Sequence, residues 1–139
     1  MKKKYDLITC WASFEYSTNP IKFIKKAIKH LNPKGKIIFY ISGNSNSLVM
    51  RVLRENCVGF LFNRKNYFNP ESLNYILKKN FVRKYIKSDL NNPEIVNNYL
   101  NYKKPYSINK NLFNIKFFKN RFIQKKFMGY KFLTVYEKK

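Results

Sequence analysis

An α/β fold is expected from three features of this 139-residue sequence. Tyr5–Trp11 is one apolar run and Lys36–Ser42 a second. Between them lies an amphipathic stretch opened by Asn19-Pro20 and closed by a Pro-x-Gly turn. Two apolar strands joined by a helix form a βαβ unit, whose strands run parallel with a right-handed crossover. The length suits one domain with one modest core, so residues 1–139 read as a single domain.

Tyr5-Asp-Leu-Ile-Thr-Cys-Trp11 has the compact apolar character of a strand buried on both faces. A loop, Ala12–Thr18, leads into the helix. Asn19 suits its cap, and Pro20 suits a first turn that has no N–H partner to lose. Ile21, Ile24, Ala27, Ile28 and Leu31 recur at spacings of three and four as one apolar stripe. Lys22, Lys25, Lys26 and Lys29 fall largely opposite. Asn32-Pro33-Lys34-Gly35 reads as a turn before the second strand. Gly43-Asn-Ser-Asn-Ser47 is a polar cluster able to cap a short helix bearing Leu48, Val49, Val52 and Leu53. Another helix is marked by Asn69 as cap, Pro70 in the first turn and Glu71 beside the positive end of the dipole. Leu73, Ile76 and Leu77 give it an inward face, and Asn80 can stop it. Phe81–Lys87 fits a strand, and Tyr130–Tyr136, rich in β-branched and aromatic residues, fits one better. Between them, residues 91–128 are polar, basic and studded with aromatics. Leu112, Ile115, Phe118, Phe122 and Ile123 can line one side of a helix, or the segment is an irregular basic aromatic insertion.

Charge and cysteine content narrow the function classes. Lys and Arg number 29 against 7 acids, a formal net charge of +22. Such a surface attracts polyanions weakly and without sequence discrimination. The excess is nearly all Lys and accompanies abundant Asn, Ile, Phe and Tyr, a set favoured by adenine- and thymine-rich codons. Codon usage therefore accounts for the charge as readily as a selected nucleic-acid or membrane surface, and the scarcity of Arg counts against planar phosphate or base readout. Asp6 and Glu15 interrupt the start of the chain before a signal-peptide core can form. No run approaches the roughly 20 apolar residues of a membrane span. Cys10 and Cys57 lack metal-ligand spacing, and one histidine, His30, cannot build a multi-His metal cluster. A reduced, cytoplasmic protein is expected.

The order of strand, Glu-bearing loop, Asn-Pro helix, Pro-x-Gly turn and strand resembles the second half of a class I S-adenosylmethionine-dependent methyltransferase of the quinone- and sugar-modifying type. The carrying residues are Tyr5–Trp11, Phe14-Glu15-Tyr16, Asn19-Pro20, Leu31-Asn-Pro-Lys-Gly35 and, later, Tyr67-Phe-Asn-Pro-Glu-Ser-Leu73. The likeness is good from residue 5 to about residue 90, skips the basic stretch, and resumes at 129–139 as a last strand. It departs at Tyr16 and Arg64, where such proteins often carry His, and at Asn80, where they often carry Gly. The resemblance implies a partial Rossmann-like sheet, parallel at first, with antiparallel strands at its C-terminal edge and helices on both faces. It also implies S-adenosylmethionine as cofactor and a small-molecule, lipid or sugar methyl acceptor.

The family's Gly-rich loop and ribose-binding acid find no counterpart. Gly35, Gly43, Gly59 and Gly129 are scattered. The expectation is therefore a truncated or split enzyme, binding cofactor tightly only with a partner N-terminal half. An exposed strand edge would take that half or a second copy. The resemblance places Cys10 and Trp11 at the strand end that meets the cofactor. For Cys10 a buried hydrophobe is the competing account, and for Trp11 packing alone. Glu15 in the following loop stands where α/β sheets bind ligands. It either orients a substrate hydroxyl, acts as base, or merely faces solvent or caps a turn. Tyr16 and Arg64 complete the substrate-side candidates, with a solvated loop as the alternative for Arg64.

Overall fold

The sheet is built from four strands, with the last in sequence placed between earlier ones. In the computed structural model, which describes residues 3–47, 50–51, 57, 63–89 and 126–139, β1 (Tyr5–Trp11) leads through a 3₁₀ turn (Phe14–Tyr16) to α1 (Pro20–His30) and β2 (Leu31–Ser42). Then come α2 (Pro70–Leu77), β3 (Phe81–Asp89) and β4 (Lys131–Lys138). The spatial order is β1-β2-β4-β3. β1 and β2 are parallel, while β4 runs antiparallel to both β2 and β3. This is the expected mixed sheet with its antiparallel C-terminal side.

Local chemistry places the two helices as expected. The Asn19 side chain accepts from the Lys22 N–H at 2.9 Å, with Pro20 directly behind it. Asn69 accepts from the Glu71 and Ser72 N–H groups, and the Ser72 hydroxyl takes the Asn69 N–H in return. This capping box satisfies donors that a helix start otherwise leaves open. At the far end of α1, the Lys138 ammonium donates to the carbonyls of Ile28 and Leu31 at 2.8 and 3.0 Å. A cation there answers the negative end of the helix dipole.

The core lies on one face of the sheet. Ile37, Phe39 and Ile41 of β2 and Phe132 and Tyr136 of β4 meet Ile24 and Ala27 of α1 and Leu73 and Leu77 of α2. Each of the Ile, Leu and Phe side chains contributes about 1.5–3 kcal/mol through removal of apolar surface from water. Both α1 and α2 pack on this face. The opposite face carries Leu7, Thr9 and Trp11 beside Ile38 and Tyr40, followed by Leu133 and Val135, as the registers show.

Three expectations need correction. β1 is not buried on both faces: Cys10 is covered, but Leu7 and Trp11 are 50% and 61% exposed. Among the described strands β1 pairs on one side only, and α1 and α2 lie on the other face from Leu7 and Trp11. Ile21 lies on the predicted apolar stripe yet is 48% exposed. The Asn32–Gly35 turn does not precede β2 but bulges within it. Between the pairings Tyr5↔Leu31 and Leu7↔Lys36, β2 advances five residues while β1 advances two. Lys34, at φ 62°, supplies the left-handed kink.

Ser47 does act as a cap, its hydroxyl accepting the Met50 N–H at 3.2 Å. Leu48, Val49, Val52 and Leu53 lie outside the described residues, as does nearly all of the 91–128 segment. Among the described residues no helix is long and apolar enough to cross a membrane.

Candidate functional site

The carboxyl ends of parallel strands are where an open α/β sheet leaves a crevice for ligands. Here those ends are Trp11 of β1 and Ser42 of β2. Ala12, at φ 43°, turns the chain sharply out of β1 while its N–H donates to the Tyr40 carbonyl at 2.8 Å. Such a strained non-glycine conformation persists only where surrounding contacts hold it. The turn then drives Phe14 into the core, where its ring meets those of Phe23, Phe39 and Phe68 at centroid distances of 5.3, 4.9 and 4.9 Å. With Phe14 fixed, Glu15 swings beneath the end of β2.

Glu15 is fully buried, at 0% exposure. Its Oε1 accepts from the Ser42 N–H at 2.8 Å and from the Ser42 hydroxyl at 3.2 Å. The same hydroxyl oxygen accepts from Arg64 Nη2 at 3.2 Å. Ser42 therefore bridges an acid and a base separated by 49 positions in sequence. Arg64 is only 7% exposed, and its guanidinium packs against Gly43 and over the Tyr67 ring. Gly43, at φ 73°, leaves no room for a side chain: an added Cβ would stand 1.7 Å from Arg64 Nη1. The backbone closes the arrangement, since the Glu15 carbonyl accepts the N–H groups of both Lys65 and Asn66. Asn44 anchors the other side, donating through Nδ2 to the carbonyls of Phe127 and Gly129.

The structure thus joins Glu15 and Arg64 through Ser42 and separates the remaining candidates. The solvent-facing alternatives for Glu15 and Arg64 do not hold, since both are buried. Cys10 and Trp11 point to opposite faces of the sheet. Cys10 lies in the core, while Trp11 stacks on Tyr40 with ring centroids 4.7 Å apart. Tyr16 ends the 3₁₀ turn, 39% exposed. Ser42, Gly43 and Asn44 escaped sequence reasoning as site residues, because their roles depend on partners distant along the chain. Arg64 was singled out because it stands where the resembling family often carries His, and Lys65 and Asn66 beside it were candidates for contact with an anionic or sugar substrate.

Burial, followed by the negative field of Glu15, pushes the Cys10 thiol up to about 12 from an ordinary value of 9.0. The folded protein therefore holds the Cys10 proton through a range where the unfolded chain releases it. Its contribution to stability is intact below pH 9 and is lost as pH rises from 9 towards 12. Iodoacetamide at pH 8.5, with peptide mapping, is expected to leave Cys10 unmodified in the native protein and to label it in urea. Rapid native labelling would show an accessible thiolate instead.

Among the described residues no three or more His, Cys, Asp or Glu side chains are placed to hold a metal ion. The acids whose side chains are described sit away from the crevice or are buried. Asp6 takes a hydrogen bond from Asn32 near the start of β1, Glu71 lies in the first turn of α2, and Glu137 pairs with Lys84 at 3.2 Å.

Comparison with known proteins agrees with this architecture. The methyltransferase domain family matches residues 1–80. A Thermotoga maritima S-adenosylmethionine-dependent methyltransferase, described as a possible histamine N-methyltransferase, superposes with a TM-score of 0.55 at 14% identity, over 98% of this chain and 56% of its own. The MccD protein gives 0.53 at 13% identity, over 99% and 61%. A Bacillus halodurans protein assigned as a methyltransferase gives 0.51 at 10%, over 98% and 64%. The chain thus spans 56–64% of the length of these proteins. A search of curated proteins finds no match.

Proposed function

The chain belongs to the methyltransferase domain family, and from that premise we propose that it forms the acceptor-side portion of an S-adenosylmethionine-dependent methyltransferase acting on a small molecule, lipid or sugar. The observation that carries this reading is the buried, hydrogen-bonded Glu15, Ser42 and Arg64 at the carboxyl ends of β1 and β2, with Trp11 exposed at the end of β1 and Tyr16 exposed in the turn that follows. Trp11 and Tyr16 are the ligand-facing groups. Glu15 and Arg64, covered by protein, act by positioning rather than by contact. Methyl transfer depends mainly on holding donor and acceptor in line, so a braced rim suits it without a strongly marked acid or base.

The residues present fit one wall of the cofactor and not the whole of it. Trp11 offers an apolar ring, and left-handed backbone at Ala12 and Gly43 turns the chain at the strand ends. Among the described residues, however, no Gly-rich loop stands at the strand ends and no exposed carboxylate is there to take ribose hydroxyls. Cys10, buried in the core, contributes packing to this wall rather than a ligand contact.

Titration of the isolated chain with S-adenosylmethionine is expected to give a Kd no tighter than millimolar, about 4 kcal/mol. Amide shift changes at high ligand should cluster at Trp11–Tyr16 and Ser42–Asn44. Micromolar affinity, near 8 kcal/mol, would refute the partial fit. Shifts confined to other surfaces would refute the site.

A further inference from the structure

We propose that the groove between α2 and β3 is a binding site for a small phosphorylated polyol, such as a sugar phosphate. It uses none of Glu15, Ser42 or Arg64, so it stands whether or not the proposed chemistry is right. The groove encloses about 290 Å³ and is lined by Glu71, Asn74 and Tyr75 of α2, Lys78 at the end of that helix, and Arg83 of β3. The four residues from α2 recur at spacings of three and four, which gathers them on one side of the helix. Two contacts with the fold hold the floor. The hydroxyl of Tyr136, a side chain with no exposure, donates to Asn74 Oδ1 at 3.3 Å. Asn74 Nδ2 has no partner among the described residues. Arg83 Nη1 donates to the Pro70 carbonyl at 3.3 Å, which fixes the guanidinium while using only one of its several N–H groups. Among the described residues neither Arg83 nor Lys78 has a carboxylate within ion-pair distance. The Lys78 ammonium instead rests 4.8 Å from the centre of the Tyr75 ring. An anchored guanidinium, an amide and an ammonium therefore border one groove with donors unspent.

The placing of these donors selects the ligand. A carboxylate offers oxygens in one plane and suits the guanidinium alone. A phosphate monoester offers a tetrahedral set of acceptor oxygens, which Arg83, Asn74 and Lys78 can share. Glu71, the acid of the lining, repels a bare dianion but accepts from a hydroxyl, so the body that carries the phosphate is hydroxylated. Tyr75, 71% exposed, gives that body a flat side to lie on. The volume admits one small molecule, and a chain of net charge +22 draws anions towards it.

The test is a titration of the full chain with glucose 6-phosphate at physiological salt, read from amide shifts. Signals from residues 71–78 and from Arg83 should move together. Inorganic phosphate should bind at the same place at least about tenfold more weakly, because it lacks the polyol that Glu71 and Tyr75 hold. Arg83→Gln keeps a donor for the Pro70 carbonyl and should weaken glucose 6-phosphate at least about tenfold. Lys87→Gln, an equal loss of charge elsewhere on β3, should change it by less than about twofold, since salt screens a distant exposed charge. Glu71→Gln should narrow the gap between the two ligands by strengthening inorganic phosphate. Equal losses in Arg83→Gln and Lys87→Gln, or shifts spread over the surface, would mean general attraction of a basic chain for anions and overturn the proposal. Glucose 6-phosphate binding no tighter than inorganic phosphate would mean an adventitious ion only and overturn it equally, as would an unchanged gap in Glu71→Gln.

Discussion

Phe14→Ala is expected to lower stability by about 3–5 kcal/mol, most of what a domain of this size possesses. Phe14 sits in a 3₁₀ turn rather than in a strand or helix, yet its ring touches three other aromatic rings drawn from α1, β2 and the approach to α2. Truncation opens a cavity that these neighbours cannot fill, because β2 is locked between two strands. It also frees the turn that aims Glu15. Urea unfolding followed by circular dichroism should show the midpoint falling sharply at an unchanged slope. Phe14→Leu, which keeps most of the volume, should lose far less. A loss below 1 kcal/mol for the alanine variant would mean that the aromatic cluster is not the keystone of this end of the molecule.

Glu15 separates two effects by the choice of replacement. Glu15→Ala removes the acceptor for the Ser42 N–H and hydroxyl and withdraws negative charge from a buried cluster that includes the Arg64 guanidinium. About 3 kcal/mol should be lost. Glu15→Gln keeps an acceptor oxygen at the same reach. Glu15 Oε2 has no hydrogen-bond partner among the described residues, so the second position of the amide gives up no bond. Stability of the glutamine variant should lie within about 1 kcal/mol of wild type. Hydrogen exchange at the Ser42 amide gives an independent reading, with protection lost in the alanine variant and kept in the glutamine one. Equal losses for both variants would show that the negative charge, rather than the acceptor, holds the rim.

The elements were legible where local chemistry decides them. Asn19-Pro20 and Asn69-Pro70 announce their helices because capping is settled within four residues, and the runs of β-branched and aromatic residues in β2 and β4 mark their strands. Burial of β1 was misjudged because an apolar run records what a strand can bury, not what lies over it. The bulge at Asn32–Gly35 was taken as a turn because the same residues serve both ends: Pro and Gly permit a kink, and only pairing with β1 decides whether the strand resumes. The site was harder still. Glu15 looks like any loop acid, and its burial depends on Ser42, 27 residues on, and Arg64, farther yet. Gly43 stood in a polar cluster with nothing to indicate that an arginine would occupy the space beside its Cα.

The strand order carries a consequence for how the chain is made. β4 is last in sequence but central in space, inserted between β2 and β3, and its Lys138 closes the end of α1 from 110 positions away. During synthesis the βαβ unit and the α2–β3 unit emerge as two separate pieces, each with an open edge, and they remain so until Lys131–Lys138 leaves the ribosome. Contacts this distant in sequence make folding slow, and the waiting edges are open to pairing with other chains. A chain stopped ten residues short would not merely fray at one border but would lose the strand that, among the described ones, joins β2 to β3.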